Sequence, residues 1–207
     1  MIDIAQPIDL AKVKELQVLG HSVIGCYART DRTPFSTVEA IHEGGSKVLT
    51  IWEAGNPTSP DYFTEDQAKA DLERLLTWCQ LVGQPASTTV SPAYDYDAAF
   101  ADVEAYGTIM HEGLLASGYF QLPYLCYPGL NGFAAAGIMP VDINTGKGGW
   151  LPGSTGFGGP DGYARGRKMA AVIQTNEDAT VAGLNCDEDI VVQMTIQTAE
   201  RLISVAW

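Results

Sequence analysis

The chain has 207 residues, 46% of them apolar and 18% charged, with 22 glycines. That composition belongs to a folded domain with one substantial core and excludes a disordered or fibrous chain. A formal net charge of −13, from 25 acidic and 12 basic residues, repels phosphate backbones and excludes nucleic acid as an expected partner.

In chain order, "MIDIAQ" predicts a strand, and "DLAKVKELQVLG" a helix with Leu10, Val13, Leu16 and Leu19 at helical spacing and Gly20 as its stop. "SVIGCYA" reads as a buried strand. In "FSTVEAIHEGG", Ser36 and Glu39 form a capping-box pattern and Gly44 and Gly45 end the helix. "KVLTIWEAG" is the third strand. A second capping box, Thr64 and Gln67, opens "EDQAKADLERLLTWCQLVG", where Ala68, Leu72, Leu75, Leu76 and Cys79 share a face and Gly83 closes the helix. "TTVSPAYDY" follows as a strand, then a helix from about Ala98 to Ser117 closed by Gly118. The second half predicts a strand at "QLPYLCY", a short helix at "GLNGFAAAG", and strands at "GGWLPGS", "MAAVIQT" and "DIVV". Between the first and second of those three strands, "TGFGGPDGYARGRK" reads as a Gly/Pro-rich loop without a helix.

Strands alternating with helices imply parallel pairing, hence an α/β fold. Eight near-regular units favour one (β/α)8 TIM-type barrel domain over residues 1–207, compact, with some helices of the second half short or missing. A dinucleotide-binding sheet is disfavoured because no G-x-G-x-x-G follows the first strand.

In such a barrel the chemistry sits at the carboxyl ends of the strands. Those positions carry Asp3 and Gln6, then Tyr27 and Arg29, then Trp52 and Glu53, then Tyr94, Asp95 and Asp97. Tyr127, Trp150, Gln174, Asp187 and Asp189 follow on the later strands. Aromatic faces stack on sugar rings, and carboxylates divide the cleavage of a glycosidic bond between proton donor and charge stabiliser or water activator. Crowding also raises the pKa of one carboxylate, as a general acid near neutrality requires. The pattern points to carbohydrate hydrolysis. Duller readings compete: Glu53 as the structural partner of Arg29, Asp97 as a helix N-cap, and Trp52 and Trp150 as core residues.

Nothing in the sequence calls for a cofactor. The histidines His21, His42 and His111 have no metal or triad spacing, and Cys26, Cys79, Cys126 and Cys186 are isolated from one another, so buried thiols are expected in place of zinc ligands or disulfides. There is no G-x-S-x-G elbow, and "GFGGPDG" lacks the Lys and Ser/Thr of a phosphate loop. The segment "MIDIAQPIDLAKVKEL" lacks Sec-type signal features, so production in the cytoplasm is expected, with release by lysis or a signal-independent route. No stretch reaches the roughly 18 apolar residues of a membrane span. The sequence carries no sign of its oligomeric state.

The succession "IDIAQP", "IGCYART", "VLTIWEAG", "YFTEDQAKADLERLLTWCQLVGQP", "PAYDYDA", "GYFQLPYLCYPGL", "GGWLPGSTG" and "AGLNCDEDI" resembles the glycoside-hydrolase-like domain family, long a domain of unknown function, related to the family 25 lysozymes (muramidases). The resemblance spans nearly the whole chain and is most specific from Tyr62 to Pro85 and in the "DYD" that follows. It implies a (β/α)8-type barrel with an acidic cleft, peptidoglycan or a related glycan as partner, and Asp3, Glu53, Asp95, Asp97 and Asp187 at the family's acidic positions, Asp189 replacing an asparagine. The lysozymes carry D-x-E where this chain has Asp95-Tyr96-Asp97, which leaves Glu53 or Asp97 as the acid. The alternative is a glycan-binding barrel without turnover, associated with phage or secretion machinery.

Overall fold

The computed structural model describes residues 1–55, 57–141, 147–153, 159–191, 196–197, 202–203 and 206–207. Strands β1 (Ile2–Ile4), β2 (Val23–Tyr27), β3 (Lys47–Trp52), β4 (Thr89–Pro92) and β5 (Phe120–Gln121) pair in parallel, in chain order. The helices α1 (Leu10–Val18), α2 (Phe35–Glu43), α3 (Glu65–Leu81) and α4 (Phe100–Ala116) connect them. Next come α5 (Tyr127–Ala136), β6 (Trp150–Leu151), α6 (Gly159–Met169), β7 (Val172–Val181) and β8 (Leu184–Val191). The eight strands form one curled sheet in the order β5-β4-β3-β2-β1-β8-β7-β6. Two further strands, β9 (Ile196–Gln197) and β10 (Leu202–Ile203), pair with each other.

The α/β class agrees with the sequence, but the sheet is mixed. β8 runs antiparallel to both β7 and β1, because the strands expected at "MAAVIQT" and "DIVV" are two arms of one hairpin and not successive parallel strands. Its turn is Ala182-Gly183, with φ of 52° and 74°, the doubly positive geometry that suits the twist of two-residue hairpins. Polar residues such as Asn176, Glu177 and Asp178 interrupt β7, which hid the strand's length from periodicity. The edges β5 and β6 do not pair by a ladder. Tyr124, just beyond β5, bridges in parallel to Ala93 and to Trp150; the Leu125 N–H donates to the Trp150 carbonyl at 2.9 Å and the Trp150 N–H to the Pro123 carbonyl at 2.8 Å.

Alternation along the strands sorts the core into two parts. Ile2, Ile4, Ile24, Cys26, Val48, Trp52 and Val90 pack against Val13, Leu16, Ile41, Leu75, Met110 and Phe133 of the helices. On the enclosed side Leu49, Ile51, Leu122, Trp150 and Val172 form a second cluster. The four cysteines are buried free thiols, as expected.

Several local expectations need correction. Residues expected as loop form α6, whose glycines lower its intrinsic helicity; packing requires Gly166, where a Cβ would lie 2.6 Å from the Leu151 side chain. The fifth strand is two residues long, and Tyr127 opens α5 with Pro128 in its first turn. Helix α2 starts at Phe35 after Pro34 with no side-chain cap, so Ser36 is not its N-cap. Thr64 does cap α3, accepting from the Gln67 N–H at 3.2 Å. The Gln67 side chain turns to Asp71 instead of back to Thr64.

Helices α4 and α5 meet through Phe133, which sits 5.3 Å from the Tyr94 ring and fills the space left by Gly107, whose Cβ would come within 2.4 Å of it. Phe133→Ala is expected to cost about 3–5 kcal/mol, measured as a lower urea midpoint at unchanged slope.

Candidate active site at the carboxyl ends of the strands

Asp3 occupies the middle of β1, between Ile2 and Ile4, so alternation turns it to the enclosed side, where it is only 5% exposed. Its register partners are Gly25 on β2 and Asp187 on β8. A Cβ at Gly25 would lie 2.6 Å from the Asp3 Cβ. The glycine therefore supplies the room that a carboxylate inside the sheet needs. Two residues on, the Tyr27 hydroxyl hydrogen-bonds the Asp3 carboxyl.

Glu53 follows β3 directly and is half-buried. Asp95 follows β4, its N–H donating to the Pro57 carbonyl at 3.0 Å. Phe63 stacks on Tyr94 at 5.1 Å and on Tyr96 at 5.6 Å, which holds the loop after β4 to the loop before α3. On the hairpin, Gln174 donates to Asp187 Oδ2 at 2.6 Å while its own Oε1 accepts from the Tyr124 hydroxyl at 3.0 Å and the Gly153 N–H at 2.8 Å. Asp187 Oδ1 accepts from the Asp178 N–H at 2.8 Å. Both oxygens of Asp187 are thus engaged.

The result is a cavity of about 130 Å³ lined by Asp3, Tyr27, Glu53, Asp95, Tyr124, Trp150, Gln174 and Asp187, with Ile51 and Ala93. Burial raises the Asp3 pKa well above the usual range, Asp187 and Glu53 add repulsion, and the Tyr27 hydroxyl partly offsets both. Burial and then Asp95 raise Glu53, against the pull of Arg32 and Arg29. Burial and then Asp187 raise Asp95. Deeper in, Asp189 accepts from Trp150 Nε1 at 2.9 Å, its Oδ2 has no hydrogen-bond partner among the described residues, and its pKa is raised by burial and then by Asp3. Among the described residues no group of three or more His, Cys, Asp or Glu is placed to hold a metal.

Of the residues expected in the site, Asp3, Glu53, Asp95, Tyr27, Trp150, Gln174 and Asp187 come together. Five do not. Asp97 is exposed, its carboxyl against the Cys126 thiol, and the N-cap of α4 is Ala99. Arg29 pairs with Asp31 (2.7 Å) in place of Glu53. Trp52 faces the helices because it precedes Glu53 on an alternating strand, and Arg29 and Trp52 line a neighbouring cavity. Tyr94 is fully buried with its hydroxyl on Gln121 Oε1 at 3.2 Å, and Tyr127 belongs to α5. Trp150 is cavity wall and core at once, 1% exposed. Tyr124 and Gly25 were not anticipated; a lone glycine inside "SVIGCYA" is the sequence signal of a close approach.

No protein-family model and no curated protein matches the chain. Solved structures do. The Mycobacterium tuberculosis Tat-secreted protein Rv2525c in complex with L-tartrate is similar at TM-score 0.72 and 14% identity, over 93% of this chain and 95% of that one. Its complex with HEPES gives 0.71 and 14%, over 92% and 94%. An uncharacterized B. stearothermophilus protein gives 0.63 and 12%, over 92% and 94%. At this identity the likeness is one of fold. It overturns the expectation of cytoplasmic production without an export signal: the fold occurs in a protein secreted by the Tat route, and Sec-type features alone do not bear on that route. Among the described residues no helix is long and apolar enough to cross a membrane.

Two outcomes follow from this geometry. Gly25→Ala is expected to destabilise by about 1–3 kcal/mol through overpacking against Asp3, read from the urea midpoint. A carboxyl whose folded pKa is raised binds protons more tightly in the native state, so its contribution is complete below the unfolded pKa and is lost as pH rises through the folded one. Because Asp3 is raised from 3.8, thermal stability should fall as pH is taken from about 4 toward neutrality, and Asp3→Asn should flatten that slope. A slope unchanged in Asp3→Asn would refute the assignment.

Proposed function

We propose that the protein is a glycoside hydrolase acting on a peptidoglycan-type glycan. The observation that carries the reading is the pair Glu53 and Asp95, which follow neighbouring parallel strands onto one cavity, burial and then the Asp95 carboxylate raising the pKa of Glu53. Two neighbouring carboxyls on one cavity can divide acid and stabiliser roles when their environments separate their pKa values. In this reading Glu53 protonates the leaving oxygen, Asp95 stabilises developing positive charge or activates water, and Asp3 and Asp187 position the sugar. Tyr27 and Tyr124 supply ring contacts. At about 130 Å³ the cavity is smaller than the ~300–1,000 Å³ pockets that engulf a drug-sized ligand, so a polymer would place one ring in it and lie across the rim. The finer architecture we read as a compact TIM-type barrel, its last units replaced by the β7–β8 hairpin and its edges met at Tyr124.

One observation favours a second reading. Asp97 replaces the glutamate of the lysozyme D-x-E pattern and stands outside the cavity, which suits a barrel that binds glycan without cleaving it.

Turnover of purified peptidoglycan separates the two readings. Hydrolysis should drop by about 10²–10⁴-fold in Glu53→Gln and in Asp95→Asn, with circular dichroism unchanged. Wild-type protein that releases no product from a glycan panel between acid and neutral pH, yet binds fragments in calorimetry, would establish the binding module instead.

A further inference from the structure

A second cavity, of about 410 Å³, lies beside the acidic one but on the other side of the β2 and β3 ends. The two sides are set by one step of alternation: Glu53 turns inward, Trp52 outward. Its volume falls within the ~300–1,000 Å³ typical of small-molecule sites, unlike that of its neighbour.

The lining is apolar below, with Arg29, Arg74 and the carboxylate of Asp31 at the rim. Phe35 at the start of α2 and Trp78 on α3 hold their rings 5.3 Å apart. Phe35 and Leu81 are among the large apolar side chains left open to solvent, at 36% and 63% exposure. Trp52 is 4% exposed, and its indole N–H has no acceptor among the described residues.

The guanidinium groups belong to Arg29 and Arg74. Arg29 uses Nε and one Nη on Asp31, in a solvent-screened pair whose side chains are 31% and 64% accessible, a class of pair that contributes little to stability. Arg74 reaches Asp71 at 3.2 Å. That carboxylate already accepts from the Tyr62 hydroxyl at 2.6 Å, the Tyr106 hydroxyl at 2.8 Å and the Gln67 amide at 2.8 Å. Arg74 also donates its Nε to the Ala70 carbonyl at 3.1 Å, and each guanidinium, with five N–H donors, keeps donors beyond those its present partners take. In a chain of net charge −13, two arginines over an apolar floor are a local exception, and guanidinium donors match carboxylate acceptors in both charge and shape.

We propose that this cavity binds a small organic carboxylate with a flat apolar body, Arg29 and Arg74 taking the carboxylate and Phe35, Trp78 and Leu81 taking the body. The site is separate from the acidic cleft and does not depend on glycan hydrolysis.

Titration with 3-phenylpropionate, followed by amide-resolved NMR or calorimetry, tests it against the neutral 3-phenylpropan-1-ol. Saturable binding with Kd at or below about 1 mM is expected for the acid, and at least several-fold weaker binding for the alcohol. Arg29→Gln, at a partly exposed side chain, and Arg74→Gln, at an exposed one, should each weaken the acid by roughly tenfold or more, and Leu81→Gln should weaken acid and alcohol alike. Asp95→Asn, in the acidic cleft, should leave the affinity unchanged. Absence of saturation, equal affinity for acid and alcohol, or indifference to both arginine substitutions would overturn the proposal.

Discussion

The constraint on which the rest depends is the enclosure of Asp3 inside the sheet. An ionised carboxylate with no cationic partner is expensive to bury, by several kcal/mol even after relaxation. The chain meets this cost with a glycine opposite, a tyrosine hydroxyl on the carboxyl, and a raised pKa that favours the neutral form. A core built for stability alone would have placed valine or isoleucine there, as Ile2 and Ile4 on either side illustrate. The local conflict marks the position as functional in origin.

Around that residue the fold distributes support by element. Parallel β3 and β4 deliver Glu53 and Asp95 from one direction, and the antiparallel hairpin delivers Asp187 and Asp189 from another. A purely parallel unit would have brought only its carboxyl end to the cavity. Because β8 runs the other way, Asp187 lies opposite Asp3 in mid-strand, and Gln174 on the partner strand can hold it. The aromatic cluster of Tyr62, Phe63, Tyr94 and Tyr106 serves another purpose. It anchors the loops after β3 and β4 to the helices, and Asp71 ties two of its hydroxyls together.

Much of the first half was legible because each element there carries its own signal. Helix α3 has apolar spacing and a Thr64 cap, and β1 to β4 are short apolar runs bounded by turn residues, so Asp3, Glu53 and Asp95 fell at strand positions that led to the cavity. Two kinds of failure account for the rest. Glycine in α6 and polar residues in β7 and β8 are present for packing and for the site, and they invert the propensities on which a local reading relies. The other failure is directional. A residue's place at a strand end does not say to which side it turns, and Trp52 and Tyr94, neighbours of Glu53 and Asp95, were grouped with the carboxylates for that reason. Counting alternation back from Asp3 and Gly25 would have separated them.

The meeting of the sheet's edges at Tyr124 has a mechanical consequence. Strands β2 and β3 share five residues of register, whereas among the described residues the edges β5 and β6 share no ladder and meet at the single bridge Tyr124–Trp150. Local opening follows the least-bonded line in a structure, so this seam is where the sheet yields first. It runs between Tyr124 and Trp150, which line the acidic cavity, while Asp3 is laddered on both sides and Glu53 directly follows a laddered strand. Two aromatic walls of the cavity, Tyr124 and Trp150, therefore sit on its least-bonded line, whereas Asp3 opposite them sits on a fully laddered one.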